Sequence, residues 1–206
     1  MRSVYLIVAL FSFFPAVSQD MVDEHVQRLR DKYDTELDLR CEIRIQVDVE
    51  GLVIPEKRVY AEFAKDQKVV VRGKGLSLLP KRGTVEQFRN LLAAPMQTIF
   101  LSKRGDNMVY KLVALDPASD WITADIVFNP EEDLIYESVV NTRKHGTFTT
   151  VNQYDGQDYP SRTEVTFEVK KFKLPLKFIG GEQTGETIRD MDEDLQGRVI
   201  LNYTYL

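Results

Sequence analysis

The chain has 206 residues, a formal net charge of −5, one cysteine, 43% hydrophobic and 29% charged residues. That length and balance fit one globular domain or at most two small ones, and they exclude a disordered chain and a disulfide-stapled scaffold. Mild acidity, with Lys and Arg spread along the sequence, excludes a nucleic-acid surface, which would need a clustered basic face.

At the N-terminus, Arg2 precedes an apolar run from Val4 to Phe14 and then Ala16-Val17-Ser18, small residues of the kind a signal peptidase reads. A signal peptide over residues 1–18 is expected, with cleavage before Gln19 and an exported domain over 19–206. The other reading, a membrane anchor, needs roughly 20 apolar residues to span a bilayer, and this run is shorter. No Cys lies near the cut to carry a lipid, so no stable membrane insertion is expected. A lone Cys in an oxidising compartment cannot form an internal disulfide, and stability must come from the core.

The spacing predicts an amphipathic helix over 20–33, where Met21, Val22, His25, Val26, Leu29 and Tyr33 share a face, with acids early and bases late. His25 belongs to that stripe and reads as a packed or rim histidine. Next, Cys41, Ile43, Ile45, Val47 and Val49 alternate with Glu42, Arg44, Gln46, Asp48 and Glu50, the pattern of a strand with one apolar and one wet face. Cys41 therefore reads as a buried small hydrophobe. Gly51 and Pro55 turn the chain, a second strand carries Val59, Ala61 and Phe63, and a third runs over 68–74. The hairpin tip Leu52-Val53-Ile54-Pro55 and the bend Gly75 to Gly83 carry more apolar residues than turns require.

Thr84-Val85-Glu86-Gln87 is a capping box opening a second helix, whose Val85, Phe88, Leu91 and Leu92 share a face until Pro95 stops it. Strands are then predicted over 98–102, 108–115, 121–128, 134–141, 146–153, 162–174 and 198–205, separated by turn clusters such as Gly105-Asp106-Asn107 and Asp155-Gly156. About ten short-linked strands and two helices imply a mainly β fold: a single, strongly curved antiparallel sheet whose concave apolar face is covered by amphipathic helices. A lidded hydrophobic cavity follows, unless the helices pack so tightly that no cavity remains.

Catalytic and metal-binding patterns are absent from the sequence. No Gly-x-Ser-x-Gly, His-Glu-x-x-His or phosphate-binding glycine loop occurs. His145 precedes Gly146 at a hairpin and reads as a turn histidine. Asp190-Met191-Asp192-Glu193-Asp194 mimics the start of a calcium loop, but Leu195 stands where that loop needs Gly and Leu201 where it needs Glu. Glu131-Glu132-Asp133 and Asp155 with Asp158 fall at turns. No cofactor and no metal are expected, and no catalytic residue is assigned.

Taken in order, the Gly75 to Gly83 bend, Tyr110 to Pro117, Trp121 to Phe128, Lys144 to Thr150, and Val165 to Glu168 leading to Lys173-Leu174-Pro175 resemble the LolA-like superfamily of bacterial lipoprotein carriers, and among them the outer-membrane lipoprotein-sorting proteins. The resemblance spans nearly all of the exported chain. It implies an incomplete β-barrel in the periplasm whose helix-covered concave face holds acyl chains of a lipoprotein or lipid in transit to the outer membrane. One departure stands out: those carriers tend to place Arg-Pro after the second strand, where this chain has Ala64-Lys65-Asp66-Gln67.

The expectation is therefore a monomeric periplasmic carrier that works by burial and is not an enzyme, with a further envelope protein loading or receiving its cargo. Ile45, Val47, Val59, Phe63, Val71, Phe128, Phe167 and Leu201 from strands, with Val85, Phe88, Leu91 and Leu92 from the helix, are the expected cavity lining. Their parity is inferred, and a one-residue slip would turn a strand's set outward. Arg44 and Arg72 are candidates for lid or head-group contacts. The alternative is an envelope sensor or scaffolding module that docks a protein partner through the same apolar surface; a hydrolase, the third reading, would depend on His145.

Overall fold

The computed structural model describes residues 22–34, 39–49, 54–63, 70–72, 85–169 and 195–206. Helix α1 (Glu24–Asp34) precedes three strands, β1 (Leu39–Val49), β2 (Lys57–Phe63) and β3 (Val70–Arg72). Helix α2 (Val85–Ala93) leads into β4 (Met96–Arg104), β5 (Asn107–Ala114), β6 (Trp121–Asn129) and β7 (Leu134–Thr142). The last three strands are β8 (Thr147–Gln153), β9 (Arg162–Val169) and β10 (Leu195–Tyr205). The signal segment, Leu52 and Val53, the Gly75–Gly83 bend, Thr84 of the capping box and the Asp190–Asp194 stretch lie outside the described residues.

All ten strands form one sheet in the order β3-β2-β1-β10-β9-β8-β7-β6-β5-β4. Every neighbouring pair is antiparallel, and all but one are consecutive in sequence. The exception ties the two ends of the chain together over nine paired positions, from Cys41 opposite Tyr205 to Val49 opposite Gly197. The sheet is curved but not closed, an incomplete barrel with β3 and β4 as its edges among the described residues, and the chain runs from one edge to the other by way of α2. Hairpin chemistry sets the local geometry. Arg104 pairs with Asn107 across a two-residue turn in which Gly105 has φ 62°, a left-handed conformation that glycine adopts without steric cost.

Register carries a single face across the sheet. Val47 stands opposite Val199, and the line continues through Val165, Thr150, Ser138, Ile126, Tyr110 and Phe100. Both helices lie on this concave face: Val26, Leu29 and Tyr33 of α1 and Phe88, Leu91 and Leu92 of α2 pack with Met96, Leu112, Ile126 and Phe128. The other face is wet along β1, β2 and β10. It carries ion pairs such as Arg40 with Glu62 at 3.0 Å and Arg198 with Asp48 at 2.8 Å, each solvent-exposed and contributing at most about 1 kcal/mol.

Helix α1 starts at Glu24 because Asp23 caps it. The Asp23 carboxylate accepts the His25 N–H at 2.9 Å, and its carbonyl accepts the Gln27 N–H at 2.8 Å. The same carboxylate oxygen accepts the Tyr110 hydroxyl at 2.9 Å, so the cap also fastens the helix to β5. Asp23→Ala is expected to cost about 1–2 kcal/mol, measured by urea denaturation, because it removes the cap and leaves the buried Tyr110 hydroxyl without its acceptor.

Burial raises the pKa of Cys41 and of several tyrosines, Tyr33 among them. It pushes the Cys41 thiol from 9.0 up to about 11 and the Tyr33 hydroxyl from 10.0 up to about 12. Each folded pKa lies above the unfolded one, so the fold retains protons that the unfolded chain releases. Stability from these groups is fully present below about pH 9 and is lost as pH rises through the folded values of about 11 and 12. Thermal melts should therefore be flat from neutrality to about pH 9 and fall steeply beyond it, and Cys41 should resist alkylation in the native state.

Candidate functional site

The concave face carries two apolar clusters. The first is the helix-covered core just described, which also takes in Trp121, Ala124, Ile135 and Val140. The second consists of Cys41, Ile43, Ile45, Val59, Ala61, Val199 and Leu201, with Leu39, Val47, Phe167, Tyr203 and Tyr205 packed against it. Among the described residues, no helix side chain belongs to this second cluster.

The expected lining residues divide between the two. Phe88, Leu91, Leu92 and Phe128 fall in the first cluster; Ile45, Val59 and Leu201, with the partly buried Val47 and Phe167, fall in the second. Phe63 stands opposite Leu39 in the register, Val71 opposite Ala61, and Val85 opens α2; the side chains of these three lie outside the described residues. Arg44 falls between Ile43 and Ile45, and Arg72 stands opposite the exposed Tyr60. Both arginines are exposed on the wet face, and the pleat keeps them off the concave lining.

The helical cover is fastened by polar contacts as well as packing. Arg30 of α1 donates to the Leu92 carbonyl at 2.7 Å and the Ala94 carbonyl at 3.3 Å, supplying a cation to the C-terminus of α2, whose own last turn has no basic residue. Arg28 donates to the Pro130 carbonyl at 2.9 Å and Lys32 to the Glu132 carbonyl at 3.0 Å, so α1 is also pinned to the β6–β7 turn. Tyr33 and Phe88 join the two helices with ring centroids 5.9 Å apart.

Between the clusters runs a band of buried, neutral polar side chains that alternation alone did not single out: Ser138, Thr150, Asn152 and Thr163. Asn152 sits at its centre, donating to the Ile135 carbonyl at 2.8 Å and accepting the Thr163 hydroxyl at 2.8 Å. The same carbonyl accepts the Tyr154 hydroxyl at 2.8 Å. It is placed to do so by a register shift in the β6–β7 ladder, where Phe128 pairs with Ile135 but Val127 pairs with Glu137, leaving Tyr136 as an extra residue. Ser138 Oγ and Thr150 Oγ1 are buried without a hydrogen-bond partner among the described residues. The sequence signal was present in β8, where Phe148, Thr150 and Asn152 share the inward parity, but those polar types suggest an outward face to a reader without the register.

Close backbone approach shapes the second cluster. Gly197 stands opposite Phe167, and a Cβ at position 197 would lie 2.6 Å from Phe167 Cε2 and 2.9 Å from Val49 Cγ2. Only glycine lets the Phe167 ring cross β10 there. That ring reaches Phe148 of β8, with centroids 6.5 Å apart.

Two features lie at the free edges. On β4, Ile99, Phe100 and Leu101 are 42–49% exposed, beside a register shift between Phe100 and Ser102. At the other edge, a cleft of about 120 Å³ is lined by Arg40, Tyr60, Glu62, Val70 and Arg72, with Leu206 beside them. Among the described residues no three His, Cys, Asp or Glu side chains gather as metal ligands. His145 is exposed in the β7–β8 turn, its N–H donated to Thr142 Oγ1 at 3.0 Å. No described helix is long and apolar enough to cross a membrane.

No protein-family model matches the sequence, and no curated protein sequence matches it. Solved structures do. A DUF1329 family protein from Desulfovibrio piger matches with a TM-score of 0.50 at 10% identity, covering 87% of this chain and 88% of that one. A LolA superfamily protein from Nitrosomonas europaea matches with a TM-score of 0.46 at 10% identity, over 87% of this chain and 91% of that one. A domain named for outer membrane lipoprotein sorting, from Vibrio parahaemolyticus, gives 0.46 at 9% identity, over 87% and 88%. At such identities a likeness speaks to fold alone, and cargo does not come with it. The open ten-stranded sheet with two helices on its concave face shares its fold with the DUF1329 family protein.

Proposed function

We propose that the chain is a periplasmic carrier that buries the acyl chains of a lipoprotein or lipid against its concave face, working without covalent chemistry. In this reading residues 1–18 are a signal peptide, the mature chain acts as a monomer, and an envelope partner loads it or receives its cargo toward the outer membrane. The observation that carries the proposal is the second apolar cluster. The inward face stays apolar beyond the part that α1 and α2 cover, from Val199 and Leu201 across to Val59 and Ala61. A hydrocarbon chain laid there gains roughly 0.8 kcal/mol for each CH₂ removed from water, so a long chain is held without specific polar contacts.

The test is mass spectrometry of organic extracts from the mature protein, purified from the periplasm without detergent. About one acylated molecule per protein is expected from the fold's single concave face. The choice of variant follows from burial. Phe88→Asp and Leu92→Asp place a charge among fully packed side chains and would unfold the cover. Val47→Asp puts the charge at a partly buried position on the floor of the second cluster, and should keep the circular dichroism spectrum while reducing bound lipid at least tenfold. A folded, empty wild-type protein would sink the carrier reading.

The exposed β4 edge favours a second reading, a sensor or scaffolding module that docks a protein partner. A free strand edge bearing Ile99, Phe100 and Leu101 is suited to strand addition by an extended peptide. The apolar stretches 52–55 and 76–80, expected from sequence to serve such docking, lie largely outside the described residues. An empty protein in the extraction experiment would move the weight here.

A further inference from the structure

We propose that the adjacent hydroxyls of Ser138 and Thr150 form a polar anchor on the concave face that takes the carbonyl oxygen of an esterified acyl chain. This deepens the carrier reading and rests on it. Ser138 and Thr150 stand directly opposite each other on β7 and β8, which brings their side chains to one spot on the sheet. Both are almost completely buried, and neither hydroxyl has a hydrogen-bond partner among the described residues. Buried hydroxyls are nearly always paired, because leaving one unmet costs stability, so two unmet donors side by side mark a place where an acceptor belongs.

Their position suits that acceptor. Along the register Ile126 of the helix-covered cluster precedes Ser138, and Val165, which stands opposite Val199 of the second cluster, follows Thr150. An acyl chain lying on the second cluster would bring its head end to this pair. The chemistry of the band selects the class of ligand. Ser138, Thr150, Asn152 and Thr163 are all neutral, and the Asn152 amide and Thr163 hydroxyl are already engaged with each other. Two free donors with no cation in the band match an ester carbonyl, which accepts hydrogen bonds and carries no charge. A free carboxylate would have to shed its hydration against neutral groups only, which disfavours it.

The experiment compares three pyrene-labelled long-chain probes of equal length, a methyl ester, the matching alkane and the free acid, by fluorescence titration of the mature protein. The wild type should bind the ester roughly tenfold more tightly than the alkane and more tightly than the acid at neutral pH. Ser138→Ala, Thr150→Val and the double variant should lose the ester preference while binding the alkane as the wild type does, and Thr150→Ser should retain it. Each variant should melt no lower than the wild type, since the hydroxyl removed has no partner to lose. Undiminished ester preference in the double variant would overturn the anchor and leave the carrier reading standing. Failure of the wild type to bind any of the three probes would overturn both.

Discussion

Replacing Phe128 with alanine is expected to remove about 3–5 kcal/mol of stability, the range for deleting a fully buried aromatic side chain. Phe128 has no exposed surface and stands on β6 opposite Met108 and Ile135. Its ring lies 5.7 Å from that of Tyr110, whose hydroxyl is held by the Asp23 cap of α1. The cavity would therefore open beneath the fastening point of the helix, where neighbours on strands cannot collapse to fill it. The midpoint of urea unfolding should fall with little change in slope. A loss under about 1 kcal/mol would show that α1 does not pack on the sheet as described.

Asn152→Ala is expected to cost about 2–4 kcal/mol, a large effect for a polar residue. The amide is buried and ties β8 to β7 through the Ile135 carbonyl and to β9 through the Thr163 hydroxyl. Removing it takes the Asn152 acceptor from the buried Thr163 hydroxyl and leaves the Ile135 carbonyl to the Tyr154 hydroxyl. Thr150→Val, two residues earlier on the same face of β8, removes a hydroxyl with no partner among the described residues and should cost nothing. The contrast between these neighbours, read by thermal and chemical unfolding, separates a polar group that holds the sheet together from one available to a ligand. Equal destabilisation by both would mean that Thr150 has a structural partner after all.

In the carrier reading proposed above, the two effects bear on how cargo would be released. Helix α1 is bound to β4 and β5 through Asp23, to the β6–β7 turn through Arg28 and Lys32, and to α2 through Arg30. A cover fastened in so many directions resists local opening, because these contacts must break together. The second cluster has no described helix upon it, and in the carrier reading it is the part of the concave face where an acyl chain would lie, its Ile45, Val59 and Leu201 being already fully buried.

Much of this was legible in the amino-acid sequence. The alternation from Cys41 to Val49 defined β1 and its inward face correctly, because side-chain parity is a local property of an extended chain. Helical spacing likewise identified Val26, Leu29 and Tyr33, and Phe88, Leu91 and Leu92, as buried faces. The number of strands and their antiparallel linkage followed from turn residues such as Gly105-Asp106. Local order could not show that β10 pairs with β1, a contact between residues such as Asp48 and Arg198 that are 150 positions apart. Nor could it show that both helices serve the β4–β7 part of the sheet, which divides the expected lining into two groups. The inward turn of Thr150, Asn152 and Thr163 was hidden for the same reason. A polar residue reads as solvent-facing until long-range register places it against Ser138 and Ile135, and that register is settled by pairing across the sheet, where the chain's local preferences have no say.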